Sequence, residues 1–198
     1  MKSFLSLLFI LFATLCVNAD STLYERGKEL FEAKDYDKAL KAFVLAANTG
    51  DLDAMTAVGI MYIGGWGVEQ SDQLGLEYIT KAANQSHPKA QYSLGAIYYL
   101  GVGMSVDFDK AFSWLNLSAK QGYLDAQHNL AEMYETGKGV DKNLKKAYEY
   151  YLMAARKHNL DSQIKVAAMY RDGIGTEKNL EKSQYWLEQI EKSKQDDQ

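Results

Sequence analysis

The stretch Ala90-Gln91-Tyr92-Ser93-Leu94-Gly95-Ala96-Ile97-Tyr98-Tyr99-Leu100-Gly101-Val102-Gly103-Met104 decides the fold, because its pattern occurs four times at a spacing of 36 residues. From Ala54 it reads A-M-T-A-V-G-I-M-Y-I-G-G-W-G-V, from Ala126 A-Q-H-N-L-A-E-M-Y-E-T-G-K-G-V, and from Ser162 S-Q-I-K-V-A-A-M-Y-R-D-G-I-G-T. Tyr62, Tyr98, Tyr134 and Tyr170 share one column. Gly65, Gly101, Gly137 and Gly173 share a second, and Gly67, Gly103, Gly139 and Gly175 a third. Further along, Tyr78, Trp114, Tyr150 and Trp186 align, as do Ala83, Ala119 and Ala155. Repeats of this length define a solenoid, in which each unit buries its apolar face against its neighbours.

Each unit reads as two helices. In the unit quoted first, Pro88 suits an opening helical turn, and Leu94, Ile97 and Tyr98 follow at helical spacing. Gly101 ends that helix, since a left-handed C-cap position favours a residue without Cβ. After the loop 102–107, Ala111, Trp114, Leu115 and Ser118 mark the packed stripe of a second helix. The small residues Gly59, Gly95, Ala131 and Ala167 leave room for the paired helices to approach.

The pattern A-x-x-x-L-G-x-x-Y-x-x-G-x-G-V, followed by K-A, an aromatic and A-A, resembles the Sel-one-like repeat family, a relative of the tetratricopeptide repeats. Ala90, Leu94, Gly95, Tyr98, Gly101, Gly103, Lys110, Ala111, Trp114 and Ala119 carry the likeness most fully. Gly75 stands in place of the usual alanine, and Met104 and Thr176 in place of valine. Upstream, residues 24–47 resemble a tetratricopeptide unit, with Asp35-Tyr36-Asp37-Lys38-Ala39 joining two helices and no G-x-G loop. The resemblance implies an all-α, right-handed α-solenoid of one tetratricopeptide-like unit and four Sel-one-like units. The units fall at about 20–53, 54–89, 90–125, 126–161 and 162–192, with a polar tail at 193–198. In the last unit Gln184, Glu188, Gln189 and Glu191 replace apolar residues, as a terminal cap requires. Trp186 and Ile190 stay apolar, for packing within the unit or for a dimer contact.

The N-terminus reads as a secretory signal peptide, residues 1–19. Lys2 supplies the positive end, Phe4 to Val17 the apolar run, and Val17-Asn18-Ala19 the cleavage site. The run falls short of the ~20 residues of a membrane span. Cleavage would leave about 179 residues and no cysteine, since Cys16 leaves with the signal. That suits an oxidising compartment, periplasmic or secreted. The net charge of −4 would become −5 with the loss of Lys2, which argues against nucleic-acid binding.

Little in the sequence points to catalysis. The G-x-G loops follow helices and recur, so they read as turns and not as phosphate cradles. His87, His128 and His158 show no metal-ligand spacing, and no nucleophile elbow is present. Neither a cofactor nor a metal is implied. Glu132 and Glu135 read as a solvated or partner-facing surface. Asn84-Gln85-Ser86 and Asn116-Leu117-Ser118 match the N-glycosylation pattern as chance occurrences.

The resemblance places partners on a concave face made by the first helix of each pair. The residues projected there are Tyr24, Lys28 and Phe31, then Thr56, Ile60 and Ile63, then Tyr92, Ala96 and Tyr99. His128, Glu132 and Glu135 follow, then Ile164, Ala168 and Arg171. Such a face begins apolar and aromatic and becomes acidic. Trp66 is a loop-contact candidate, with packing back over the next helix as its favoured role. The expected function is an exported, non-catalytic scaffold for a protein or peptide, acting as a monomer or weak homodimer. From the family resemblance, a sharper alternative is an immunity protein against an antibacterial toxin. A remoter one is an enzyme or binder acting on peptidoglycan or a β-lactam.

Overall fold

The computed structural model describes residues 22–196, so the expected signal peptide, with Cys16, lies outside the described residues. These form ten helices and no strand. They are α1 (22–32), α2 (Tyr36–Asn48), α3 (Leu52–Gly64), α4 (Asp72–Asn84), α5 (Pro88–Leu100), α6 (Phe108–Lys120), α7 (Leu124–Thr136), α8 (Leu144–Ala155), α9 (Leu160–Asp172) and α10 (Leu180–Asp196). The chain divides into two compact units, one ending at Ala90 and one beginning at Gln91, within the first turn of α5. The fold is an all-α solenoid of helix pairs.

One hydrogen-bond scheme closes the long loops. Gly137, at φ 79°, ends α7 by donating its N–H to the Met133 carbonyl. The chain re-enters a helix at Asn143, whose backbone N–H donates to the Tyr134 carbonyl at 2.8 Å. The Asn143 side chain then accepts from the Lys146 N–H at 2.9 Å, capping α8. Ser71, Asp107 and Asn179 repeat both bonds, to Tyr62, Tyr98 and Tyr170 behind them and to Leu74, Lys110 and Lys182 ahead. A capping side chain is therefore required at the end of each such loop, a column the glycine pattern does not reveal.

The second loop glycine has a different task. A Cβ on Gly139, at φ 65°, would overlap the Phe108 carbonyl at the start of α6. Gly175 meets the Leu144 carbonyl at the start of α8 in the same way, and in the first unit Gly67 meets Tyr36 at the start of α2. Each of these three loops thus rests on the opening turn of the preceding pair's second helix, at backbone-to-backbone distance.

Within a pair, the aromatic columns meet. Tyr62 stacks on Tyr78 with ring centroids 5.9 Å apart, and Tyr134 on Tyr150 at 5.8 Å. The lysine of the K-A motif adds a cation over the same tyrosine in the second unit. Lys110 lies over Tyr98, Lys146 over Tyr134 and Lys182 over Tyr170, each 5.1–5.3 Å from the centroid. The first unit has Leu74 at that position, 41% exposed. Gly75, the departure from alanine, has a packing reason: it faces Gly59 across α3 and α4. A Cβ on either would come within 2.8 Å of the other's carbonyl oxygen.

Three details differ from the sequence reading. The first pair turns at residues 33–35, and Tyr36 to Ala39 already belong to α2. At the other end α10 continues to Asp196, past residue 192. Its Gln184, Glu188 and Glu191 are exposed, but so are Leu180 (62%), Tyr185 (53%) and Leu187 (44%), so the terminal face is mixed and not uniformly polar. Trp186 and Ile190 are buried within the second unit. Asn116 lies inside α6 with Ser118 fully buried, consistent with a chance glycosylation match.

The seating of the loops gives a stability test. Gly139→Ala combines a strained φ with backbone overlap and should cost about 2–4 kcal/mol. Gly50, at φ 101°, has open space where a Cβ would go. Gly50→Ala should therefore cost only the backbone strain, about 1–2 kcal/mol. Urea denaturation of both variants decides the order, and equal losses would remove the seating role from Gly139.

Candidate partner-binding faces

In the first unit, α1, α2 and α3 line an open apolar cavity of about 190 Å³. Its walls are Tyr24 and Phe31 of α1, Phe43 of α2, and Ala57, Ile60 and Met61 of α3. Phe43 can reach this position because Gly27 leaves space: a Cβ there would lie 2.5 Å from the ring. Tyr24 packs against Phe43 with centroids 5.6 Å apart. Lys28, Glu32 and Lys89 complete the lining. Lys89 Nζ donates to the Tyr24 hydroxyl at 3.4 Å and lies 4.0 Å from Asp53, while Lys28 Nζ pairs with Glu25 at 2.9 Å. Spacing of four and seven residues along one helix brings Tyr24, Lys28 and Phe31 to the same face. That is why the sequence projection found three of these positions, and Ile60 as a fourth.

Trp66 stands beside this cavity and packs back on the preceding helix pair, not over the next helix. Its ring meets Phe31 edge-on at 5.2 Å and stacks on Tyr36 at 6.2 Å, yet 38% of the residue stays exposed. Ile63 is half-buried over the bare backbone of Gly75. Thr56 must be corrected: it is fully buried and offers nothing to a partner. Its hydroxyl donates to the Leu52 carbonyl at 2.7 Å, and the His87 ring closes over it with Nδ1 at 3.4 Å. The 36-residue repeat gives Thr56 the same position as Tyr92, but only the fold shows that His87, distant in sequence, covers it.

In the second unit the projected residues behave differently again. Tyr92 packs on Tyr123 with centroids 5.1 Å apart, and its phenol is pushed up by burial and by Asp125. Tyr99 meets Phe108 edge-on at 5.2 Å, and its hydroxyl accepts from Lys138 Nζ at 2.9 Å. Both tyrosines are half-buried, so each serves packing and still shows a face. Ala96 on α5 and Ala168 on α9 are half-buried, and Ile164 is 50% exposed on α9. Arg171 is exposed and forms a two-pronged pair with Asp172.

The acidic residues of α7 separate in role. Glu132 is half-buried, with His128 Nε2 at 3.9 Å. His128 Nδ1 contacts the Ser162 hydroxyl at 2.8 Å, linking α7 to α9. Glu135 is committed: its Oε2 accepts from the Tyr151 hydroxyl at 2.7 Å and from Lys165 Nζ at 2.9 Å. Burial works to raise the Glu135 carboxyl, but the hydrogen bonds from Lys165 and Tyr151 outweigh it and hold the group below the ordinary range. Burial, then the same carboxylate, push the Tyr151 phenol strongly up. Tyr151 and Lys165 escaped the sequence reading because both lie off the projected columns. Among the described residues no three potential metal ligands converge, and no helix is long and apolar enough to cross a membrane.

Helix pairs closed by glycine loops, with variable side chains along the first helices, define a repeat protein of the tetratricopeptide-like class. The Sel1 repeat family model matches residues 19–51, 52–87, 88–123, 124–159 and 160–190. This chain belongs to the Sel1 repeat family, and its first pair, despite lacking the G-x-G loop, is one of the five matched repeats. Among solved structures it is similar to a protective antigen of uropathogenic Escherichia coli that displays this fold. The TM-score is 0.79 at 26% identity, over 88% of this chain and 38% of that one. A Sel1 repeat protein of Oxalobacter formigenes gives 0.75 at 32% identity, over 80% and 46%. One from Klebsiella pneumoniae subsp. pneumoniae gives 0.58 at 22% identity, over 86% and 85%. The chain spans less than half the length of the first two. No curated protein matches it in sequence.

The Glu135 network carries a pH signature. A carboxyl held below its ordinary value, near 4.5, gives stability that is complete above that value and lost as pH falls through the folded-state one. Glu135→Gln should therefore flatten the acid limb of a Tm-against-pH curve below about pH 4.5. Parallel curves for the two proteins would remove Glu135 from acid stability.

Proposed function

We propose that this chain is an exported, non-catalytic scaffold that binds a protein or peptide through the first helices of its pairs. The observation that carries the reading is a contrast within one frame. The loop glycines, capping residues and stacked aromatics repeat, whereas the positions facing outward from α1, α3, α5, α7 and α9 change from pair to pair. Half-buried tyrosines such as Tyr92 and Tyr99 are suited to recognition, since they combine large apolar area, few rotors and a hydroxyl. The periplasm is the proposed location, from the N-terminal signal pattern. A partner that is a single toxin, bound tightly and neutralised in cells by this chain, would assign the immunity role. Several weaker partners would assign an adaptor.

The test is capture of partners from an envelope fraction by the wild type and by three variants. Ile60→Glu and the double variant Tyr92→Ala, Tyr99→Ala alter first helices. Met153→Glu alters α8, at a position 44% exposed. Recovery of the principal partner should fall at least about tenfold with one of the first two, as loss of a hot-spot residue does. Met153→Glu should leave it unchanged. Loss with Met153→Glu alone would place binding on the second helices and overturn the reading.

A further inference from the structure

The cavity of the first unit has a size and a charge pattern that together specify an occupant. At about 190 Å³ it is smaller than the ~300 Å³ at which sites for small molecules commonly begin. It matches one large side chain inserted from outside. The wall is apolar and aromatic, through Phe31, Phe43, Ile60 and Met61.

The charges at its edge do not balance. Glu25, Glu29 and Glu32 lie four and seven residues apart on α1, so they form a stripe beside the one that lines the cavity. Glu25 is paired with Lys28 at 2.9 Å and Glu29 with Arg26 at 2.8 Å. Lys89 is engaged by the Tyr24 hydroxyl and lies 4.0 Å from Asp53. Asp53 is shared with His87, whose Nε2 is 3.4 Å away. Glu32 lines the cavity, is exposed, and makes no ion pair among the described residues. The cations of the rim thus each have a partner. Glu32, which acts on Lys28 only as the weakest of its electrostatic neighbours, is the rim carboxylate left without an ion pair among the described residues.

We propose that this cavity takes one large apolar side chain of a partner polypeptide whose neighbouring residue is basic. The inserted side chain displaces water from the aromatic wall, and the adjacent Lys or Arg pairs with Glu32. The inference rests on the protein-scaffold reading and deepens it by naming the anchor and its flanking charge. It also divides labour: the first unit selects the anchor, independently of Tyr92 and Tyr99 in the second.

The experiment is an NMR titration of the full chain with three acetylated, amidated tripeptides: Lys-Phe-Lys, Ser-Phe-Ser and Glu-Phe-Glu. Amides of Phe31, Ile60 and Met61 should shift, with Lys-Phe-Lys binding about threefold tighter than Ser-Phe-Ser, as one solvent-screened charge pair allows. Glu-Phe-Glu should be weakest. Glu32→Lys, an exposed change that leaves the core intact, should reverse the order, and Ile60→Glu should abolish the shifts. Equal affinity for all three peptides, or an order unchanged in Glu32→Lys, overturns the proposal. Shifts confined to Tyr92 and Tyr99 overturn it while supporting binding on the first helices. Silence at millimolar peptide overturns the cavity assignment alone, because the broader scaffold reading is decided separately by partner capture.

Discussion

The contact on which the repeat spacing depends is a loop glycine resting on the opening turn of the preceding pair's second helix. At Gly139 on Phe108 and at Gly175 on Leu144 the separation is backbone to backbone, with no side chain between. Such a contact has no adjustable element. A side chain can change rotamer to absorb error, whereas two backbones at van der Waals distance fix position. The hydrogen bonds from Asn143 to Tyr134 and from Asn179 to Tyr170 then hold each loop's far end, so its position is set from both sides.

This rigidity frees other positions. The stacked pairs, Tyr62 on Tyr78 and Tyr134 on Tyr150, tie the two helices of each pair on one side. Buried alanines such as Ala111, Ala147 and Ala155 leave room for close helix packing. Since the frame is maintained without the outward positions of the first helices, those positions can differ. The first unit builds an aromatic cavity there, and the second builds half-buried tyrosines and a Glu135-centred hydrogen-bond network. Recognition by a repeat protein follows from this separation of tasks: the recurring residues maintain geometry, and the varying ones supply chemistry.

The polar contacts of the second unit show how the surface proposed for a partner also serves the fold. His128 reaches Ser162 and Glu135 reaches Lys165, so each links α7 to α9. A group engaged in this way is already desolvated and oriented. What it can offer a partner is a fixed dipole or an ion pair, and not a free charge. Glu132, nearby and half-buried, with His128 at 3.9 Å as its nearest ion-pair partner, keeps the greater freedom to respond.

The sequence by itself determined the family, the helix pairs and the place of every glycine loop, because these follow from short-range geometry repeated at a fixed interval. It also brought Tyr24, Lys28, Phe31 and Ile60 to common helix faces, since helical period alone sets that relation. Only the tertiary structure decided which of those faces remain open. Thr56 and Tyr92 share a repeat position, yet His87 covers the first, while Tyr123 packs beside the second and leaves it partly exposed. Glu135 reads as a surface carboxylate until Tyr151 and Lys165 meet it from α8 and α9. The cavity needs Phe43 and Lys89, which no pattern along α1 or α3 contains. Local spacing specifies the direction of a side chain from its helix axis; what it meets depends on residues tens of positions away, and those are brought to it only by packing.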